Sequence, residues 1–420
     1  MTAETVRPRA LPQPLAAVCA ALAALGAIVF VAGLGVDEDT TWRAFHVNYL
    51  YFAGLAQGGV VIACIFVIVG AQWPGPVRRL AEALGAWIPI SVLLYLIGFI
   101  GRHSLYSWIE HPIEAKASWL NEPRLFFTDL FVLLLLTFLS LAFLYYSLRP
   151  ALHGAAERAS GRSRALFEWC TRGWRGDGEE RARCARIATR LAPLICIVYA
   201  FGFSVIAFDQ VMSLSPTWYS NLFGAYFSWG SFLSAVALTA VLAVLHRAAP
   251  GLEGEITQPR LHDLGKMVFA FSIFWMYLFF SQYLVIWYGN LEEERFFLHA
   301  RLGSQFFQDT AGFVMTRLSE PYAWLTMVVW LCCWIVPFWV LLGQRPKRTT
   351  WILGPVGLVV AVGFWLERNV LIWPSLAPND PLSWVGWIQF GIAAGFVGGF
   401  ALVFLLFTRV FPSLAVPRES

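Results

Sequence analysis

Charge is scarce in this sequence of 420 residues. Asp, Glu, Lys and Arg make up only 13% of the chain, whereas 58% of it is hydrophobic and the mean hydropathy is +0.63. A soluble domain of this length needs far more charge to cover its surface, so the composition excludes a soluble globular protein. A bilayer core takes roughly 20 apolar residues per helix. The composition therefore favours a chain that crosses a membrane many times.

Metal and redox signatures are also missing. The seven cysteines form no CxxC pair, no CxxCH haem-attachment signature and no iron–sulfur run. Most of them fall inside apolar runs, where cysteine usually packs as a small buried residue. The seven histidines are expected at helix ends or in loops, which argues against a b-type haem held between facing helices. We therefore expect no metal ion and no redox cofactor in this chain itself.

Long apolar runs predict an all-α integral membrane protein with about ten transmembrane helices. The runs cover residues 14–36, 45–72, 80–101, 125–148, 191–213, 222–246, 264–288, 321–343, 350–373 and 385–408.

The distribution of Lys and Arg predicts the orientation. The two tails and the alternate loops that share their side carry 22 of these residues, and the loops on the other side carry 7. Cytoplasmic segments are enriched in Lys and Arg, so both termini are predicted to be cytoplasmic. The layout is a cytoplasmic tail (1–13), helices 1–4 (14–148), a basic cytoplasmic loop (149–190), helices 5–10 (191–408) and a second tail (409–420), in a multi-pass protein of the bacterial inner (cytoplasmic) membrane.

A few ionisable residues fall inside or beside the apolar runs. A charge at membrane depth is costly unless it is paired or hydrated, so each is a candidate for function. On the predicted topology they share the outer half of the membrane, where they could pass protons toward the outer aqueous phase. This candidate proton path comprises Asp129, Asp209, Glu110, His111, Glu367 and Arg368. The alternative is structural, with Glu367 paired to Arg368 and Asp209 capping the helix 5–6 turn.

Three stretches resemble one protein family. They read TWRAFHVNYLYFAGLAQGGV (41–60), FDQVMSLSPTWYSNLFGAYFSWG (208–230) and LHDLGKMVFAFSIFWMYLFFSQYLVIWYGNLEEE (261–294). There the chain is similar to the NrfD or polysulfide-reductase-type membrane subunits, and among them to the ActF branch found in alternative complex III. The resemblance implies an NrfD-like fold of two four-helix bundles plus peripheral helices.

The same resemblance implies a function. The chain would be a cofactor-free membrane subunit of a quinol-oxidising respiratory complex. This subunit would supply scaffolding and proton translocation toward the outer face, and it would be inactive as an isolated chain. The implied partners are an ActC-like NrfD subunit, a periplasmic iron–sulfur subunit, haem-c subunits and a terminal oxidase, with haem c and iron–sulfur clusters held by those partners. Membrane lipids are expected around the chain, and nucleic acid is not.

The chain departs from the family at two places. Residues 65–75, IFVIVGAQWPG, lack the histidine pair that the family has at the inner end of helix 2, which removes a proton-loading role there. Residues 291–294, LEEE, replace an Ile-Pro-Glu-Glu sequence and lose its proline. These differences indicate a divergent branch.

Two other functions stay open at this point. In one, this chain itself binds quinone or menaquinone at the outer face, with His111 or Asp209 accepting a proton from quinol. In the other, the chain is a secondary transporter, which predicts internal repeats and a substrate site near the membrane midplane. The scarcity of charge in the inner half of the membrane argues against an ion-coupled transporter.

Overall fold

The computed structural model describes residues 12–156, 161–249, 252, 254–303, 322–380 and 382–411, with the side chains of 161–163 and Glu293 excepted. Ten helices in these ranges are long and apolar enough to cross a membrane, and three shorter ones accompany them. In chain order the helices are α1 (Gln13–Val36), α2 (Glu38–Ile68), α3 (Pro76–Leu105), α4 (Glu122–Ala156), α5 (Gly161–Cys170), α6 (Asp177–Leu214), α7 (Phe223–His246), α8 (Gln258–Gly289), α9 (Glu292–Leu302), α10 (Ala323–Val340), α11 (Gln344–Arg348), α12 (Thr350–Leu376) and α13 (Trp387–Val410). The prediction of an all-α integral membrane protein with ten spanning helices is confirmed.

Several helices run further than the apolar runs. α4 continues to Ala156 and α6 begins at Asp177, so much of the segment expected as a basic loop at 149–190 is helical. The first turn of α6 contains Asp177, Glu179 and Glu180. Carboxylates there interact favourably with the positive end of the helix dipole, which explains why this helix starts well outside its apolar part.

The spanning helices pack as two groups of four. One group contains α2, α3, α4 and α6, and the other contains α7, α8, α10 and α12. α2 and α7 contact each other between the groups and are the most buried of the spans. α1 and α13 pack on each other at the periphery and also contact α2. α6 also contacts α7, and α2 also contacts α12, so the two groups pack on each other through several helices. The NrfD-like arrangement implied by the resemblance stays a prediction.

Glycines bring α1 and α13 together. A Cβ added to Gly26 would lie 2.3 Å from the Cα of Gly395, so the two backbones touch at this point. Small residues permit this close approach between membrane helices. Gly33 faces Ile388 while Cys19 faces Gly398, so the two helices are antiparallel. The start of α1 and the end of α13 therefore lie at the same end of the bundle.

The two ends of the bundle differ in charge. We call the end where α2, α4, α7, α10 and α13 finish the basic end, because its connecting segments hold most of the Lys and Arg residues. Glu82 lies buried there and accepts hydrogen bonds from Arg78 at 2.9 Å, Arg79 at 2.6 Å and Ser147 at 2.6 Å. These contacts attach α3 to α4. We call the other end the opposite end.

Candidate functional site

A buried ion pair joins α4 to α6 at the opposite end. Arg124 lies in the first turn of α4 and Asp209 near the end of α6. The guanidinium Nη2 donates to Asp209 Oδ1 at 2.7 Å, and Nη1 donates to Oδ2 at 3.0 Å. The guanidinium also lies over the ring of Trp119, with Cζ 4.2 Å from the ring centroid. Two parallel hydrogen bonds fix the pair and neutralise Asp209, which therefore binds Arg124 through its side chain instead of capping the following turn.

Asp129 lies deeper in the same cluster and has no cation of its own. It is fully buried, and its Oδ2 accepts a hydrogen bond from Gln210 Nε2 at 2.9 Å. Its other oxygen, Oδ1, meets no hydrogen-bond donor among the described residues. The Asp129 and Asp209 side chains lie beside each other and interact directly. Two carboxyl groups and one guanidinium are electrically neutral when the carboxyl groups share one proton, and that proton would also satisfy Oδ1.

Aromatic and imidazole groups surround this acid pair. The Tyr49 hydroxyl interacts with the Gln210 side chain, and the His46 Nε2 lies 2.8 Å from the Gln210 carbonyl oxygen. Because a carbonyl only accepts, His46 carries a proton on Nε2. Tyr106 follows the end of α3, and burial together with the charges of the two aspartates raises its pKa well above the ordinary value. These buried side chains surround the acid pair and place hydroxyl and imidazole groups near it.

His46 corrects an expectation drawn from the sequence. It does not lie at a helix end: it is inside α2 and almost fully buried. The apolar run was predicted to begin at residue 45, whereas the helix begins at Glu38, capped by the Asp37 side chain, which accepts a hydrogen bond from Thr40 N at 3.0 Å. Asp37 is a favourable N-cap residue, and this signal would have placed the helix start correctly.

Two predicted members of the proton path are not part of the cluster. Glu110 and His111 are exposed on the segment between α3 and α4, and neither makes a side-chain hydrogen bond or ion pair with a described residue. The same segment is fastened to the α6–α7 connection through Lys116, whose Nζ donates to the Pro216 carbonyl at 2.5 Å. The segment thus covers the acid pair without placing its own acidic and imidazole groups on it.

A second charged cluster lies on α12, inside the other group of helices. Glu367 and Arg368 are both buried, with Glu367 Oε2 3.1 Å from Arg368 Nη1. Arg368 Nη2 donates to the Phe227 carbonyl at 3.1 Å and to Ser231 Oγ at 2.9 Å on α7. The Tyr226 hydroxyl lies beside the Glu367 carboxyl. Neither carboxylate oxygen of Glu367 accepts a hydrogen bond of good geometry from a described residue, so this carboxylate keeps room for a further donor.

Arg301, on α9, is a buried cation that the sequence did not single out. Its Nη1 donates to the Phe297 carbonyl at 2.9 Å, and its Nη2 donates to the Leu371 carbonyl at 2.7 Å and to Ser375 Oγ at 2.8 Å. It forms no salt bridge with a described carboxylate. Burial lowers the pKa of Arg301 to about 9. Arg301 also lies over the Phe297 ring, with Cζ 3.4 Å from the ring centroid. Because its hydrogen bonds go only to carbonyl and hydroxyl oxygens, it leaves a net positive charge beside α12.

A small cavity separates Arg301 from Glu367. It measures about 30 Å³, and both residues line it together with Tyr226, Trp218 and Gln282. A polar cavity holds a water molecule once its volume exceeds roughly 10–15 Å³. The cavity is therefore large enough for at least one water, which would supply the donor that Glu367 lacks.

Hydroxyl groups lie between the two clusters. Ser375, bound to Arg301, also accepts a hydrogen bond from Ser215 Oγ at 2.8 Å. Two residues earlier, the Ser213 hydroxyl donates to the Asp209 carbonyl. These hydroxyls lie between the two clusters, but they form no continuous hydrogen-bonded chain among the described residues, because Ser213 binds the Asp209 main chain and not its carboxylate.

Comparisons with known proteins add no identification. No protein-family model matches the chain, and no curated protein matches it either. Within the described residues, no group of three or more His, Cys, Asp or Glu side chains could hold a metal ion. The resemblance to NrfD-type subunits therefore stays a prediction from the three quoted stretches, and a role for the chain has to be inferred from the geometry of the clusters.

Proposed function

We propose that this chain is a membrane subunit that holds and exchanges protons at the opposite end of the bundle, within a quinol-oxidising respiratory complex of the alternative complex III type. One observation carries the proton-exchange role: Asp129, buried at membrane depth, has an oxygen without a donor and lies against the Arg124-bound Asp209. Intramembrane carboxylates that face a bundle interior commonly serve as proton relays. A purely structural role favours carboxylates that are fully hydrogen-bonded, as the large majority of buried polar side-chain atoms are.

Each group has a chemical task in this proposal. The acid pair stores one proton, and Arg124 balances the remaining negative charge when that proton is present. When the proton leaves, the pair carries one negative charge in excess of Arg124, which attracts the next proton. Glu367, with Arg368 beside it and a water-sized cavity in front of it, forms a second proton-holding position deeper in the membrane. Water molecules bridging the hydroxyls of Ser213, Ser215 and Ser375 would supply the connection.

The assignment to a respiratory complex rests on the sequence resemblance alone. On that basis the partners are an ActC-like NrfD subunit, a periplasmic iron–sulfur subunit, haem-c subunits and a terminal oxidase, in the bacterial inner membrane. The distribution of Lys and Arg predicts that both termini are cytoplasmic. Electrons would pass through the partners' iron–sulfur clusters and haem c. This chain would contribute scaffolding and the proton-holding groups.

Quinone binding by this chain itself is a second candidate, which the geometry favours less. Sites for ligands of quinone size usually occupy roughly 300–1,000 Å³. The cavity at Glu367 offers only about 30 Å³. A larger cavity of about 620 Å³ lies between α2, α7, α12 and α13, but its lining is almost wholly apolar and contains neither aspartate of the acid pair. His111, the other proposed acceptor, is exposed on its loop.

A purification and a set of variants test the proposal. When the chain is purified through an affinity tag in mild detergent, iron–sulfur and NrfD-like subunits should co-purify with it. The optical spectrum of the purified sample should show c-type haem. In the intact complex, Asp129→Asn and Asp209→Asn should lower proton release and membrane-potential generation per quinol oxidised. Glu114→Gln, an exposed carboxylate at the same end, is the matched control. A colourless protein without partners would remove the complex assignment, and unchanged proton release in both Asp variants would remove the proton role.

A further inference from the structure

Three arginines converge on one pocket at the basic end, remote from the acid pair. Arg247 extends from the end of α7, Arg345 and Arg348 belong to α11, and the first residue of α12, Thr350, lies among them. The pocket measures about 420 Å³, and Gln258 and Thr349 complete its lining. It is formed by three different parts of the chain that only the fold brings together.

The positive charge of this pocket is not balanced within the described part of the chain. None of the three arginines forms a salt bridge with a described carboxylate. The nearby carboxylates are already engaged, since Asp263 binds Lys266 at 2.6 Å and Glu255 contacts Arg260 at 3.5 Å. Lys347, between the two α11 arginines, is buried, with its Nζ 4.6 Å from the centre of the Phe269 ring, so it adds a further cation without an anion.

Two helix starts add to the positive potential. α12 begins beside Thr350, and no side chain caps its first N–H groups, because the Thr349 hydroxyl donates to the Arg345 carbonyl instead. α8 begins at Gln258, and its N-cap residue Thr257 makes no side-chain cap either. The first N–H groups of a helix lack intrahelical partners and carry partial positive charge, so both helix starts favour an anion in this pocket.

The position of the pocket limits what that anion can be. Arg247, Gln258 and Thr350 stand at the ends of three membrane-spanning helices, which is the depth of phospholipid headgroups. Basic pockets between transmembrane helices are known to bind acidic lipid headgroups. We propose that this pocket binds the phosphate of an anionic phospholipid, with Arg247, Arg345 and Arg348 as its ligands. The site is independent of the acid pair and of the proposed respiratory function.

Native mass spectrometry tests the proposal. The full chain is mixed with defined lipids in detergent, and the lipids that stay bound after the detergent is removed are identified. Phosphatidylglycerol should remain bound in preference to phosphatidylcholine. The triple variant Arg247→Gln/Arg345→Gln/Arg348→Gln should lower the retained phosphatidylglycerol at least about tenfold, since it removes all three cations proposed to bind the phosphate. Single variants should give graded losses, which keeps the test informative if the triple variant folds poorly.

The matched control is Arg164→Gln/Arg172→Gln/Arg175→Gln, which removes three exposed arginines from the segment between α4 and α6. It removes the same net charge at the same end and should keep the lipid preference. Equal loss in both triple variants would show a general surface-charge effect and overturn the proposal. Retained preference in the first triple variant would also overturn it. Displacement of the lipid by millimolar inorganic phosphate would identify free phosphate as the ligand and overturn the lipid assignment.

Discussion

Replacing Arg124 with glutamine removes the guanidinium that neutralises Asp209. Arg124 is linked to Asp209 by two hydrogen bonds of 2.7 and 3.0 Å, and the Asp209 side chain is fully buried. Removing one partner of a buried ion pair typically costs 3–5 kcal/mol, because it leaves an uncompensated buried charge. Since the Arg124 side chain is 20% exposed, we take the lower part of that range and expect a loss of about 3 kcal/mol in the free energy of unfolding.

A double-mutant cycle isolates the pair from other effects of the substitution. Asp209→Asn removes the buried charge, so Arg124→Gln should cost much less in that background than in the unmodified chain. We expect a coupling free energy of about 2 kcal/mol, within the range measured for contacting residues. The assay is reversible unfolding of the purified chain in mixed detergent micelles, followed by loss of helical circular dichroism.

A partly exposed ion pair at the same end provides the comparison. Arg102 Nε lies 2.5 Å from Glu122 Oε1, and the two side chains are 29% and 37% exposed. Solvent screens such a pair, so its coupling should stay below about 1 kcal/mol. If the Arg124–Asp209 coupling is no larger than that of Arg102–Glu122, the ion pair does not organise the cluster, and the electrostatic account of the site is wrong.

Three further substitutions test other parts of the fold. Gly395→Ala should separate α1 from α13 and lower thermal stability by about 1–3 kcal/mol, because the added Cβ would lie 2.6 Å from the Gly26 backbone, whereas Gly35→Ala meets nothing within 4 Å and should be neutral. Glu82→Gln should destabilise the chain by about 3 kcal/mol in the same micelle assay, because it leaves two partly buried guanidinium groups without a carboxylate. Arg301→Lys should cost about 1–3 kcal/mol, measured by thermal unfolding, because an ammonium cannot reproduce the contacts of the guanidinium fork.

Each of these has an outcome that contradicts it. Equal melting temperatures for Gly395→Ala and Gly35→Ala would mean that the α1–α13 contact is not tight. The exposed control Glu168→Gln should lower the free energy of unfolding by less than about 1 kcal/mol. An equally small loss for Glu82→Gln would mean that solvent reaches the Glu82 carboxylate. An unchanged melting temperature for Arg301→Lys would mean that a lysine ammonium group can replace the guanidinium group that binds three oxygens.

The membrane-spanning architecture was predictable because its signal is local. Each spanning helix is a continuous apolar run, and the run can be recognised without knowing its neighbours. The helix ends were less predictable, since polar residues such as Asp37 and Asp177 extend helices beyond the apolar part. The exposed positions of Glu110 and His111 could not be inferred from a charge pattern, because the pattern does not show which way a connecting segment folds.

The candidate site was predictable only in part, because its contacts join distant residues. Asp129 and Asp209 were identified from their place in apolar runs, yet their partners Gln210 and Arg124 lie 81 and 85 positions away along the chain. Such pairings depend on the relative rotation of packed helices, which hydropathy does not encode. Arg301 shows the same limit, since it lies in a segment that the sequence indicated as an external loop and is buried against α12.

Infrared difference spectroscopy of the purified chain tests the central claim most directly. The claim is that the Asp129–Asp209 pair holds one shared proton, so the spectrum near neutral pH should contain the C=O stretching band of a buried carboxylic acid. In a Glu367→Gln background, which removes the other buried carboxyl group proposed to hold a proton, that band should shift on deuteration and disappear in Asp129→Asn, while Glu114→Gln should leave it unchanged. If the band is absent, or persists in Asp129→Asn and Asp209→Asn alike, the pair holds no proton, and its role as a proton-exchange site is refuted.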